Sequence, residues 1–302
     1  TQQNQDMIMD EFRDEGGINT ATSTNESYNA ADFYANATTT TGGLDSNTKL
    51  LIHADESNGS TSLDDASDSN HTITANGNAA TTNSVTKFDN TIAFDGTGDY
   101  LTIGNTSDFK FLHGAEDTTD FKWTFDAWVK AANFDATQMI FASYAGGSAE
   151  QGIGVEIGSS RQIWMAITRG VGSSYVVNAG FSTYFPNDSN WHHIAVTYDQ
   201  TPATANGELF IDGVSAGTID KTGNAPSTSN SSEVLTIGAV AGSGSTEFTG
   251  YMDEIRITKD VVRWTSDFTV PSSPYSATAT TNDITLISNT TVAESQPDQA
   301  NI

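Results

Sequence analysis

The stretch Asn190–Gly217, NWHHIAVTYDQTPATANGELFIDGVSAG, decides the fold. Trp191, His193, Ala195 and Thr197 fall on one side of an extended run and His192, Ile194, Val196 and Tyr198 on the other, the two-residue period of a strand. Both sides carry bulk, which places this strand in the interior of a sheet. A polar loop follows, Glu208–Ile211 reads as a further strand, and Asp212-Gly213 supplies the pair of positive-φ residues that a two-residue hairpin turn requires. His192, His193 and Asp212 together resemble a reactive constellation, but the strand period and the turn account for them without chemistry.

Outward from this window, strand signals recur at residues 49–54, 72–75, 92–94, 100–103, 123–130, 138–143, 152–157, 162–168, 175–179, 215–219, 234–237 and 248–257. Gly- and Asp-rich turns separate them, and no long amphipathic helix intervenes. Many short strands without helical periodicity predict an all-β, antiparallel two-sheet sandwich packed through alternating inward residues. Residues 123–130 put Phe125, Ala127 and Val129 on one face and Thr124, Asp126, Trp128 and Lys130 on the other, a mixed pattern suited to a strand covered in part by loops.

Composition narrows the partners. The 302 residues hold 12 Lys plus Arg against 38 Asp plus Glu, a net charge of −26, which argues against nucleic acid and anionic membranes as partners. There is no cysteine, so thiolate chemistry and disulfides are excluded. No apolar run is long enough to insert into a membrane. The chain opens on Thr1, the pattern of a processed product or a fragment. Residues 1–46 read as a polar arm with small apolar islands such as Met7-Ile8-Met9, a segment that could dock by strand addition, and 276–302 as a second arm or the start of a further β module.

Five stretches, in order, resemble the concanavalin A-like, laminin G-type jelly roll: LLIHADESNGSTSLDDASDSNHTIT, IAFDGTGDYLTI, WTFDAWVK, WHHIAVTYD with GELFIDGVSAGT, and FTGYMDEIRITKDVVRWTSDFTVP. They imply one jelly-roll domain over 47–275. The resembled variant is one common in bacterial secreted proteins and in phage tail-fibre and virion surface proteins, and the flanking arms are similar to segments found beside such domains in long phage tail or fibre proteins. The resemblance also implies a structural Ca²⁺ where the acidic loop after the first strand meets the strand carrying MDEIRI, with Asp55 and Asp253 as ligands and Asp65 as a weaker candidate. Glu254 is expected to pair with Arg256 or to face solvent. The alternative reading of these carboxylates is a solvated acidic turn.

Related jelly rolls include glycoside hydrolases. A retaining glycosidase needs two carboxyls about 5 Å apart, yet Glu150, Glu156 and Glu208 stand isolated and no E-x-D-x-x-E pattern occurs. There is no G-x-S-x-G elbow either, so no catalytic residue is assigned. Carbohydrate binding draws on exposed aromatic faces, and Tyr144, Trp164, Arg169, Tyr175 and Tyr184 lie in or beside the loops of the middle section. Trp164 alternates with Ile163 and Met165 and reads equally as core. Trp123, Trp128 and Trp191 read as packing residues, and Trp264 as a pin for the segment after the last strand.

The expectation is therefore a non-enzymatic protein of the virion surface or extracellular space that recognises surface glycans or adheres to another cell-surface ligand. The alternative is a self-assembling filament or capsid-decoration subunit whose arms contact other copies or other virion proteins. A glycan-cleaving enzyme is the third reading.

Overall fold

A computed structural model describes residues 45–144, 151–169, 174–240 and 246–276. The expectations for residues 1–44 and 277–302, strand addition by the arm included, lie outside the described residues. The chain forms two antiparallel sheets. One runs, in spatial order, β13 (Val214–Ile219), β12 (Gly207–Ile211), β11 (His192–Asp199), β6 (Lys122–Ala131), β15 (Thr249–Lys259), β4 (Thr91–Asp95) and β3 (Ala80–Thr82), with β1 (Thr48–Ile52) also paired to β15. The other runs β10 (Tyr175–Tyr184), β9 (Gln162–Arg169), β8 (Gln151–Ile157), β7 (Gln138–Ala142), β14 (Leu235–Ile237), β5 (Tyr100–Ile103) and β2 (Ile73–Asn76). This is the antiparallel jelly-roll sandwich that the strand pattern and the five stretches imply.

The stretch Asn190–Gly217 supplies three adjoining strands of the larger sheet, β11, β12 and the start of β13. β11 pairs with β12 on one side and β6 on the other, and all but the last of its residues are buried. Asp212 and Gly213 join β12 to β13 with φ of 52° and 78°, the two positive values the turn demands. Inward residues of the two sheets form one core. Phe125 of β6 stacks on Phe141 of β7 at 4.5 Å, and Trp123 meets the same Phe141 edge-on at 6.2 Å. Each such ring, fully withdrawn from water, stabilises the sandwich by roughly 1.5–3 kcal/mol.

Two elements escaped the sequence reading. β3 is only three residues, Ala80, Thr81 and Thr82, too short to show a period, and its outer edge is held by Gly59 N donating to Thr81 O at 2.8 Å and Thr81 N donating to Ser60 O at 2.9 Å. Lys110–His113 is a 3₁₀ turn closed by Gly114 at φ 79°. β10 also extends five residues beyond the expected end, because its second half lies beside β13, where Ser182 Oγ donates to Ala216 O at 3.3 Å.

The outer face of the larger sheet carries a buried polar cluster instead of solvent. Arg256 stands directly across from Asp126, donating from Nε to Oδ1 at 2.9 Å and from an Nη to Oδ2 at 3.2 Å, with both side chains fully buried. Tyr275 donates its hydroxyl to the same carboxylate, and His193 Nε2 lies 3.5 Å from it. The segment after β15 roofs the cluster. Trp264 stacks on Phe268 at 4.1 Å, both against His193, and the Tyr275 ring lies 3.9 Å from the Arg256 guanidinium. Trp264 is thus the pin anticipated for it, and Asp126 shares a loop-covered face as its strand pattern implied.

Burial alone would raise the pKa of Asp126, but the charge of Arg256 and the contact with His193 hold it well below the usual carboxylate range. A depressed carboxylate pKa contributes stability above its unfolded value of about 3.9 and loses it as pH falls through the lower folded value. Arg256→Ala leaves that carboxylate buried without its partner and is expected to cost about 3–5 kcal/mol in denaturant unfolding. Asp126→Asn should flatten the loss of melting temperature expected of wild type below about pH 4. An Arg256→Ala cost under about 1 kcal/mol would mean that the pair is not what fixes the roof.

Candidate functional site

Strand alternation in the smaller sheet sends Ile163, Met165 and Ile167 of β9 into the core, all fully buried, and leaves Trp164, Ala166 and Thr168 on the outer face. In register with them, β8 contributes Glu156 opposite Trp164, Gly154 opposite Ala166 and Gly152 opposite Thr168. From β10 come Gly180 opposite Trp164, Asn178 opposite Ala166 and Tyr175 opposite Thr168. Gly154 and Ala166 make a floor with almost no side chain, and larger groups rise around it. The result is a groove of about 120 Å³ lined by Tyr144, Glu156, Trp164, Thr168, Tyr175 and Asn178 above that floor.

Two glycines set its aromatic walls. A methyl group at Gly154 would lie 2.5 Å from Cε1 and 2.6 Å from Oη of Tyr144, so only a missing side chain lets that ring settle against β8. A methyl at Gly180 would lie 2.6 Å from Cε3 of Trp164, so the indole rests on bare backbone in the same way. Trp164 Nε1 donates to Asn178 Oδ1 at 2.9 Å, which fixes the indole about its own axis. Burial, followed by the nearby Glu156 and Tyr175, pushes the Tyr144 hydroxyl up to about 12, so it stays a neutral donor. Burial raises the pKa of Glu156 as well.

Of the five residues expected to form a ligand platform, Tyr144, Trp164 and Tyr175 converge in this groove. Arg169 does not line it, because it falls on the opposite parity from Trp164 and sits at the end of β9. Tyr184 is 49% exposed at the far end of β10, beside Gln162. Glu156, isolated along the chain, was missed as a groove residue. Its place opposite Trp164 depends on cross-strand register, whereas the small-residue floor had a visible trace in the alternate glycines of QGIGVEI.

The expected calcium ligands are not gathered into one set. Asp65 Oδ1 accepts from Leu51 N at 3.0 Å and Ser67 N at 2.9 Å, while Oδ2 accepts from His71 N at 2.9 Å and pairs with His71 Nδ1 at 2.8 Å, so both oxygens already carry two partners. Asp55 borders a cavity of about 100 Å³ together with His53, Asp89, Glu254 and Tyr275. Asp253 receives Phe88 N at 3.3 Å and Glu254 N at 2.8 Å. Among the described residues no three His, Cys, Asp or Glu side chains are grouped to hold a metal ion. A Ca²⁺ ion asks for six to eight converging oxygens, and among the described residues the side chains of Asp55, Asp65 and Asp253 do not form a common set.

Glu254 also departs from expectation. It is buried, its Oε1 pairs with His53 Nδ1 at 2.8 Å and its Oε2 accepts Tyr275 N at 2.7 Å, whereas Arg256 belongs to Asp126. The reason is a bulge. β15 meets β6 with Asp253 opposite Trp128 and next with Arg256 opposite Asp126, three residues advancing against two, and Glu254, at φ 51°, sits in that bulge. Simple alternation cannot place its side chain.

His192 is held through both ring nitrogens, Nδ1 to Asp212 at 2.7 Å and Nε2 to Asp188 at 2.9 Å, and His193 by the Asp126 cluster. Both histidines of the opening stretch are structural, as the strand reading had them.

The fold and groove define an antiparallel jelly-roll sandwich with an aromatic-lined depression on one outer face. A model of the laminin G-type, concanavalin A-like lectin/glucanases superfamily matches residues 95–266, more than half of the chain, and the protein belongs to that family. No curated protein matches it. Among solved structures it is similar to domain 4 of AbnA, a GH43 extracellular arabinanase from Geobacillus stearothermophilus, in complex with arabinotriose; identity is 15%, coverage 70% of this chain and 92% of that one, and the TM-score 0.48. It is also similar to the CBM40 of Ruminococcus gnavus IT-sialidase bound to α2,3-sialyllactose, with 14% identity, 48% and 78% coverage and a TM-score of 0.39. A third is the binding domain of botulinum neurotoxin DC in complex with SialylT, at 14% identity and TM-score 0.46, where 70% of this chain spans 48% of the toxin domain.

Burial and then the charge of Glu254 raise the pKa of Asp253 to about 8. A carboxylate raised in the folded state holds its proton there and loses it on unfolding, so stability is full near pH 4 and declines as pH climbs to about 8. In chelator-treated protein the melting temperature should fall across this window, and Asp253→Asn should remove much of the slope. An increase in melting temperature on adding Ca²⁺ that Asp253→Asn abolishes would instead show a cation in place of that proton.

Proposed function

We propose that the groove on the outer face of β8, β9 and β10 binds a glycan. The observation that carries this reading is the set of three aromatic side chains, Tyr144, Trp164 and Tyr175, standing around a floor of Gly154 and Ala166. A sugar ring offers apolar C–H faces for such rings and hydroxyls at its rim, where Asn178 and Glu156 supply polar partners. Binding without cleavage is the proposed mode, because the described lining provides one carboxylate, Glu156, where a glycosidase works with a pair.

A shallow groove binds weakly on its own, and repeated copies on one surface would raise avidity. Display on a virion or another extracellular surface is part of the proposal. It rests on the resemblance of the flanking polar arms to those of fibre proteins. No helix among the described residues is long and apolar enough to cross a membrane.

Glycan-array screening of the whole chain is the test, followed by titration of a bound oligosaccharide. Trp164→Ala and Tyr175→Ala are each expected to weaken binding roughly 10- to 100-fold, equivalent to about 1.4–2.8 kcal/mol, with melting temperature unchanged. Gly154→Ala should weaken it as well by displacing Tyr144. Failure to bind any glycan, or undiminished binding by Trp164→Ala, would remove this reading.

A further inference from the structure

Glu156 is more than a polar rim. Its carboxylate is drawn out of water far enough for burial to raise its pKa, yet it makes no hydrogen bond or ion pair among the described residues. Among the described residues no Lys, Arg or His lines the groove beside it. Withdrawn charges in folded proteins are ordinarily paired, because an unpaired one keeps its desolvation cost. The other wall groups favour the same missing partner. Tyr144, Trp164 and Tyr175 line the groove, and the negative face of an aromatic ring attracts a cation. One carboxylate and three rings around a small-residue floor make a receptor for an ammonium group rather than for a purely neutral sugar.

We infer that the groove takes a saccharide unit bearing a protonated amine, of the de-N-acetylated hexosamine class, with its ammonium against Glu156 and its ring over Trp164. This inference rests on the glycan reading of the same groove and adds the charge of its ligand. Glu156 and Trp164 face each other in register on adjacent strands, so one sugar can meet both. The N-acetylated counterpart lacks the cation and leaves Glu156 without a partner.

The test compares a glucosamine trisaccharide with its N-acetylated form by titration calorimetry on the whole chain. It is run at about 150 mM salt to screen the general negative field of the protein and near pH 6.5, below the usual range for an amine. The amine form is expected to bind at least ~10-fold more tightly, and in Glu156→Gln the two forms should bind alike. Glu208→Gln, on the opposite sheet, also removes one charge and should keep the preference; thermal melts verify that each variant folds.

Equal affinity of wild type for the two forms, no binding of either, or a preference that survives Glu156→Gln overturns the inference. Loss of the preference in Glu208→Gln does so too, since it would trace the effect to bulk charge. Trp164→Ala separates the two levels. If it abolishes binding of both forms while wild type shows no amine preference, the glycan groove stands and only its charge selectivity falls. If Trp164→Ala changes neither, the groove reading falls as well.

Discussion

The Asp126–Arg256 pair is the constraint on which the larger sheet depends. Two opposite charges face each other across the central strands β6 and β15, both out of water, and neither is tolerable without the other. The pair does not stabilise by attraction alone, because withdrawing each ion from water costs several kcal/mol. What it does is dictate the surroundings. Tyr275 and His193 complete the carboxylate, and Trp264 and Phe268 keep water out. The segment after β15 is ordered against the sheet because it finishes this cluster, and its end, at Tyr275 N, is tied to Glu254. One sheet is thus sealed on its outer face, and the other is left open where the groove lies.

Much of this arrangement was legible in the amino-acid order. Bulk on both sides of WHHIAVTYD marked an interior strand, and Asp212-Gly213 marked a turn whose geometry few other residue pairs adopt. The outward position of Trp164 was left open, because a Trp between Ile163 and Met165 fits core or surface until the register with Glu156 and Gly180 is known. Arg169 and Tyr184 lie near the same loops along the chain, but nearness in sequence does not say from which face of a strand a side chain leaves.

The acidic loop shows where local reading fails. Asp65, rich in carboxylate neighbours along the chain, spends both oxygens on backbone amides and His71, so its charge organises the loop that contains it. Glu254 illustrates the same limit from the other side. A bulge leaves no mark in a hydrophobic pattern, since the residue that breaks the alternation is recognisable only once the register of the strand against β6 is known.

That shared strand has a kinetic consequence. β15 is the last strand of the described sandwich, yet it sits between β6 on one side and β4 and β1 on the other, and His53 meets Glu254 across 201 residues of chain. During synthesis the larger sheet lacks its central member until residues beyond 249 have emerged, and β1, β4 and β6 wait with unpaired edges. A topology so rich in distant pairings folds slowly and exposes its sticky edges meanwhile. The high negative charge of the chain, uninformative about the fold, is well suited to keeping such half-built sheets apart.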